Sequence, residues 1–205
     1  MEITEEIKGY LIKQYGDEKT FAEIAPNSTN SNVKAIDYDD VRRKIVGDRC
    51  ESADALYITE KYFNFIEFKT GFASDKNDVN TNTHKENLKL KIRLKAFETM
   101  AVFRDIIIPS YEANERKIIG KRRYIAVVDA KDKPVDAYQD VLACISGAND
   151  ECSDYKKNIY KWLRDSLIVY RRSLDGKKLF YDYTDVWYDF EFDNKIKDLW
   201  FLLRS

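Results

Sequence analysis

The chain has 205 residues, 44% of them hydrophobic, and its 35 basic and 36 acidic side chains leave a net charge of −1 at pH 7. This balance excludes a strongly basic protein, and the absence of any apolar run long enough to cross a bilayer excludes a membrane-spanning segment. We expect residues 1–205 to form one cytoplasmic domain, because the length suits one core and the N-terminus lacks the features of a signal peptide.

The first part of the chain combines helical patterns with one pronounced β pattern. In chain order, the residues predict a helix over 3–16, a loop over 26–32, a helix over 38–47, two strands within 53–72 and a polar loop over 73–83. The two strands are runs of β-branched and aromatic residues on either side of Glu60 and Lys61.

The second part predicts helices around a further strand. Its patterns predict a helix over 84–107, a strand over 123–130, helices over 137–147 and 154–174, and one or two short strands over 179–192. Pro109 is expected to stop the first of these helices, and residues 195–203 fit either a strand or a helix. This order predicts an α/β fold, with α+β as the alternative, in which helices flank a mixed central β-sheet.

The hairpin within 53–72 places charged residues at one end of the sheet. If Glu60 and Lys61 form the turn, Asp54 faces Glu67 across the two strands. Lys69 lies two positions beyond Glu67 and therefore shares its face of the sheet. Glu60-Lys61 is not a favoured two-residue turn, and a loop of odd length would place the two acids on opposite faces.

Two facing carboxylates repel each other in a half-buried site. A divalent cation that binds both replaces this repulsion with attraction. The sequence has three cysteines without zinc-site spacing and a single histidine, His84. It therefore has too few suitable residues for a classical zinc site or for Ser-His-Asp catalysis. Carboxylate ligands favour Mg²⁺ or Mn²⁺. A metal beside a lysine on a rigid strand suits phosphodiester hydrolysis.

The segment SADALYI followed by FIEFKTG resembles the core motif of the PD-(D/E)XK nuclease superfamily, with Asp54, Glu67 and Lys69 in the motif positions. The proline that often precedes the aspartate is replaced here by Ala53. The resemblance covers about residues 37–130 and implies a restriction-endonuclease-like core, followed by a helical and aromatic extension over 131–205. It also implies that Asp54, Glu67 and the backbone carbonyl of Phe68 bind metal.

Further site residues follow from the same resemblance, since the family often adds an acid from an N-terminal helix. We favour Glu23, and the alternatives are Glu6, Asp37 and Asp40. Lys91 and Lys95, on the helix after the motif, would either contact a phosphate or be solvated. Arg122 and Arg123 end a basic segment that would either follow a nucleic-acid backbone or form an exposed connector.

The leading hypothesis is a Mg²⁺- or Mn²⁺-dependent nuclease that hydrolyses DNA, in which Lys69 positions and activates the attacking water. One alternative is a catalytically inactive interaction module with the same fold. Another is a nuclease subunit that needs a partner for DNA targeting, for which the acidic aromatic segment 179–193 is a plausible docking surface. Binding of a protein partner and formation of a homodimer are therefore both compatible with the sequence.

Overall fold

A computed structural model describes residues 3–70, 81–112, 120–129, 163, 165–168, 170 and 180–201. The predicted helix over 137–147, most of the predicted helix over 154–174 and the greater part of the predicted loop over 73–83 lie outside these residues. Within the 154–174 prediction, residues 163 and 165–168 are helical, whereas Tyr170 lies in a turn.

Within the described residues, six strands form one sheet in which the spatial order follows the chain order. The strands are β1 (Glu18–Thr20), β2 (Lys34–Asp37), β3 (Ala55–Ile58), β4 (Tyr62–Lys69), β5 (Lys121–Val128) and β6 (Tyr183–Tyr188). Neighbours from β1 to β4 are antiparallel, whereas β4, β5 and β6 are parallel to one another. The sheet is therefore mixed, as the sequence predicts.

Helices cover both faces of this sheet. They are α1 (Ile3–Tyr15), α2 (Phe21–Ile24), α3 (Tyr38–Val46), α4 (Thr81–Val102), α5 (Ile108–Glu112) and α6 (Asp189–Phe201). Side chains from α1, α3, α4 and α5 pack on the face of Phe63 and Phe65, which we call the α4 face. Side chains from α2 and α6 pack on the face of Ile66 and Phe68, which we call the α6 face. The predicted α/β class, with a mixed sheet between helices, is confirmed.

The β3–β4 hairpin has the register that the sequence predicts. Ile58 pairs with Phe63 and Leu56 pairs with Phe65, and Thr59 and Tyr62 exchange backbone hydrogen bonds across the two-residue turn. Successive side chains alternate between faces, so Phe63, Phe65, Glu67 and Lys69 all belong to the α4 face. The apolar strip buried beneath α4 thus leads directly to the charged end of the strand.

The prediction that Pro109 stops the long helix is wrong. A wide turn of π-helix over Phe103–Ile107 follows α4, and α5 continues through Pro109 to Glu112. Because the amide of Ile108 donates to the carbonyl of Phe103, five residues back, the backbone is widened just where the proline ring would otherwise clash.

Three other segments differ from prediction. Residues 189–192, predicted as strand, begin α6, because Phe192 and Ile196 at helical spacing pack on the α6 face. The strands β1 and β2 were not predicted, since they have only three and four residues and no clear alternation.

Among the described residues, no helix is long and apolar enough to cross a membrane.

Candidate functional site

Asp54 lies just before β3 and is held by hydrogen bonds on three sides. Its amide donates to the carbonyl of Ile66 at 3.0 Å, and its own carbonyl accepts from the amide of Tyr38 at 3.0 Å. Its carboxylate oxygen Oδ2 accepts from the amide of Phe68 at 2.7 Å. The side chain is therefore fixed at the end of the hairpin beside the C-terminal end of β4.

The residues before Asp54 are anchored to α4 and α3. The amide of Ala53 donates to the hydroxyl oxygen of Thr99 at 2.7 Å, and both residues are buried. The hydroxyl of Ser52 donates to Asp39 at 3.0 Å. Sequence reasoning missed this supporting role of Thr99, whose signal is a small polar residue on the apolar face of an amphipathic helix.

Glu67 faces Asp54 and is completely buried, with an exposed fraction of 0%. Lys95 of α4 reaches between the two acids. Its Nζ lies 2.9 Å from Oε2 of Glu67 and 3.2 Å from Oδ1 of Asp54. The Lys95 side chain is only 15% exposed, so this is a largely buried bridge of one ammonium and two carboxylates.

The surroundings of Glu67 disfavour its ionised form. Burial, and then the neighbouring Asp54 carboxylate, raise the pKa of Glu67 well above its usual value, and Lys95 offsets only part of the shift. Burial by itself would lower the pKa of Lys95, but Glu67 and Asp54 outweigh it and raise that pKa. Lys95 therefore keeps its proton, whereas burial and Asp54 favour the protonated form of Glu67.

One oxygen of this site is left without a partner. Oε1 of Glu67 is buried and has no hydrogen-bond partner among the described residues. A buried carboxylate oxygen without a partner is unfavourable, because the cost of desolvation is not returned by a hydrogen bond. The orphan oxygen is thus an acceptor for a cation or for water.

The backbone carbonyl of Phe68 is directed toward the same region. The carbonyls of Lys61 and Lys69 accept from amides at the two ends of β5, so odd-numbered residues of β4 turn their backbone groups to β5. In a strand the next residue points the opposite way, so the amide and carbonyl of Phe68 face the β3 side, where Asp54 lies. The hydrogen bond from the Phe68 amide to Asp54 agrees with this direction.

Lys69 completes the charged group. It ends β4, is half-buried and shares the α4 face with Glu67. Its positive charge acts to lower the pKa of Glu67, although burial and Asp54 dominate. Asp54, Glu67, Lys69 and Lys95 together bring two negative and two positive groups to one end of β4.

Glu23 does not join this group. Its carboxylate accepts from the amide and hydroxyl of Thr20 at 2.7 and 2.9 Å, which caps α2. The neighbouring Phe21 packs on the α6 face, whereas Glu67 lies on the α4 face. Across the described part of the chain, no cluster of three or more His, Cys, Asp or Glu residues could hold a metal. The structure therefore does not bring Glu23 together with Asp54 and Glu67, and a third acid at this site stays a prediction.

The alternative N-terminal acids have other partners. Asp37 and Asp40 both bind Lys19, at 2.7 and 2.8 Å, and Glu6 accepts a hydrogen bond from Tyr111 at 3.4 Å. In this structure, Asp37 and Asp40 therefore belong to an ion cluster at the start of α3, and Glu6 contacts α5.

The basic residues predicted to contact nucleic acid occupy different places. Lys91 is exposed on α4, one turn before Lys95, whereas Lys95 points inward to the acids. Arg122 and Arg123 lie at the opposite end of the sheet, three to four residues before Ala126, the β5 partner of Glu67. At about 3.3 Å per residue, this separates them from Glu67 by about 10–13 Å along the strands. Arg123 also lies 4.5 Å over the ring of Tyr62.

No family model, no curated protein and no solved structure matches this chain. The resemblance to the PD-(D/E)XK superfamily therefore rests on Asp54, Glu67 and Lys69 themselves.

Proposed function

We propose that this protein is a metal-dependent nuclease that hydrolyses phosphodiester bonds in DNA. The observation that carries the proposal is the pair of facing carboxylates, Asp54 and Glu67, with a buried oxygen of Glu67 that has no partner in the part of the chain that the structure describes. Such a pair, fixed on a rigid hairpin, is suited to a divalent cation. DNA as substrate comes from the resemblance of Asp54, Glu67 and Lys69 to the nuclease motif.

The donor set fits Mg²⁺ or Mn²⁺. Two carboxylates and the carbonyl of Phe68 offer hard oxygen ligands of the kind these cations prefer. Mg²⁺ usually keeps several waters and uses only one or two carboxylates of the protein, so no third acid is required. A bound cation would lower the pKa of a coordinated water and stabilise negative charge on a phosphate.

The protein's own groups would divide the remaining work. Lys69 is half-buried at the end of β4, where its ammonium can donate hydrogen bonds to a water or a phosphate oxygen beside Glu67. Asp54 is held by the Phe68 amide and Glu67 by the strand, so neither carboxylate has to reorganise during the reaction. Lys69 would hold the attacking water in line with the phosphorus atom.

A second function is favoured by one specific observation. Lys95 already bridges Asp54 and Glu67, so the two carboxylates are partly neutralised by the protein itself. In a catalytically inactive interaction module, this ion triad would hold α4 against the hairpin and no metal would be needed. Near-neutral net charge and abundant aromatic side chains are compatible with such a module.

Cleavage of plasmid and single-stranded DNA with Mn²⁺ or Mg²⁺ tests the proposal. Wild type is compared with Lys69→Ala and with Lys197→Ala, which removes an exposed lysine of α6 and serves as the control. We expect metal-dependent cleavage by wild type and the control, and its loss in Lys69→Ala.

The other outcomes separate the alternatives. Absence of cleavage together with absence of Mn²⁺ binding by calorimetry would leave the interaction module. Mn²⁺ binding that depends on Asp54, without cleavage by the purified chain, would favour a nuclease subunit that needs a partner for DNA targeting.

A further inference from the structure

Three of the four carboxylate oxygens at the site are already occupied. Lys95 contacts Oδ1 of Asp54 and Oε2 of Glu67, and the amide of Phe68 donates to Oδ2 of Asp54. The remaining oxygen, Oε1 of Glu67, is buried. A cation that binds both acids must therefore take at least one oxygen that now has a partner.

Lys95 and a divalent cation would also be too close to coexist without strong repulsion. Nζ of Lys95 is 2.9 Å from Oε2 of Glu67. A Mg²⁺ ion bound to that oxygen at about 2.1 Å would lie within about 5 Å of the ammonium. Like charges at this separation in a largely buried site repel far more than they would in water.

Lys95 has a route away from the acids. Its side chain is 15% exposed, and the preceding turn of α4 is exposed at Lys91 and Leu94. Side chains on a helix lean toward its N-terminus, so an extended lysine at position 95 can move toward this exposed turn. Four flexible methylene groups allow that movement without any change in the backbone.

We propose that Lys95 is the resident counter-cation of the site and that a divalent cation has to displace its ammonium to bind. This inference rests on the proposed metal site. Lys95 stabilises the metal-free protein and at the same time lowers its affinity for metal, because the same oxygens serve both cations. Once displaced, the ammonium would stand beside the site, where it would face an incoming phosphate.

Removal of the ammonium tests the competition directly. Mn²⁺ binding is measured by calorimetry for wild type, Lys95→Met and Lys91→Met, of which the last removes an exposed lysine one turn away. We expect Lys95→Met to bind Mn²⁺ about tenfold more tightly, within the usual range for coupling between two sites. Lys91→Met should bind like wild type.

The outcomes distinguish this inference from the proposed function. If wild type binds Mn²⁺ through a site that Asp54→Asn abolishes, but Lys95→Met binds no more tightly, the competition is refuted and the metal site stands. If neither wild type nor Lys95→Met binds Mn²⁺, both are refuted. Binding by Lys95→Met alone would support the competition in its strongest form.

A labelling measurement keeps the test open if Lys95→Met folds poorly. Wild-type protein is acetylated with and without Mn²⁺, and modification of each lysine is read by peptide mass spectrometry. Displacement by metal should increase acetylation of Lys95 several-fold and leave Lys91 unchanged. Equal or reduced acetylation of Lys95 in Mn²⁺, at concentrations that saturate the site, would overturn the proposal.

Discussion

Lys19 and Lys95 each bridge two carboxylates, but the two triads lie in different surroundings. Lys19 binds Asp37 and Asp40 at 2.7 and 2.8 Å, and its side chain is 44% exposed. Lys95 binds Glu67 and Asp54 at 2.9 and 3.2 Å and is 15% exposed, with Glu67 buried completely. We call these the exposed triad and the buried triad.

The triads differ in how their oxygens are satisfied. In the exposed triad, the second oxygen of Asp37 accepts from the amide of Asp40 at 3.1 Å, and the second oxygen of Asp40 accepts from Arg43 at 2.6 Å. All four oxygens therefore have partners, and the cluster caps and reinforces α3. In the buried triad, Oε1 of Glu67 has no partner within the described residues.

This difference separates a structural ion cluster from a candidate reactive one. Burial makes each interaction of the buried triad stronger and each missing partner more costly. A buried carboxylate oxygen without a partner is unfavourable, and the proposed cation would satisfy it. Matched substitutions in the two triads can test this interpretation.

The largest expected effect is on catalysis. Glu67→Gln should reduce metal-dependent DNA cleavage by about a thousandfold, the loss expected when several kcal/mol of transition-state stabilisation are removed. The raised pKa of Glu67 indicates that a neutral side chain is tolerated there, so this variant should fold. Asp40→Asn in the exposed triad should retain activity within about twofold. Comparable losses in both variants, measured as cleavage rates, would remove the distinction.

Removal of the two lysines should differ in its effect on stability. Lys95→Met removes the buried ammonium that contacts both acids and should lower the free energy of unfolding by about 3 kcal/mol. Lys19→Met removes an exposed ion pair and should cost less than about 1 kcal/mol. Urea unfolding at pH 7 with a chelator present measures both values. Equal losses would mean that burial does not distinguish the triads.

Metal binding should stabilise only through the buried triad. Mn²⁺ at ten times its dissociation constant should raise the free energy of unfolding of wild type and Asp40→Asn by about 1.4 kcal/mol. Asp54→Asn should show no such gain, because it loses a ligand while its side-chain oxygen can still accept from the Phe68 amide. Thermal unfolding with and without Mn²⁺ provides the measurement, and a gain retained in Asp54→Asn would place the metal elsewhere.

The smallest effect concerns salt. The difference in stability between wild type and Lys19→Met should fall toward zero in 1 M NaCl, because the Debye length shrinks to about 3 Å and exposed pairs are screened. The larger difference for Lys95→Met should change little, since the buried pair is shielded from solvent ions. Repeating the urea titrations in high salt compares the two, and equal sensitivity to salt would contradict the assignment of burial.

The sequence predicted the hairpin and its charged end because both depend on local pairing. With Glu60 and Lys61 at the turn, strand alternation alone brings Asp54 opposite Glu67. The central sheet and the helix after the motif follow from periodicity in the same way. The nuclease activity, the metal and DNA remain predictions, since nothing beyond the geometry of these residues bears on them.

The features that the sequence did not predict depend on how helices and strands pack against one another. Lys95 was expected to be solvated or near a phosphate, and its contact with both acids requires the rotation of α4 about its axis, which the sequence gives only coarsely. Its position directly before the buried Ala96 was the available signal. The sequence also did not predict that α2, and with it Glu23, packs on the α6 face, because a segment this short does not reveal which face of the sheet it covers.

The π-helical turn over Phe103–Ile107 has a consequence for the rotational phase of the long helix. Successive residues of an α-helix advance by about 100°, so an uninterrupted helix from Ile92 to Tyr111 would turn the last side chain about 100° away from the first. The wider turn accommodates one additional residue and cancels most of this drift, and Tyr111 remains buried on the side of Ile92 and Phe103. The π-helical turn that accommodates Pro109 therefore also keeps the apolar side of α4 and the apolar side of α5 in contact with the same face of the sheet.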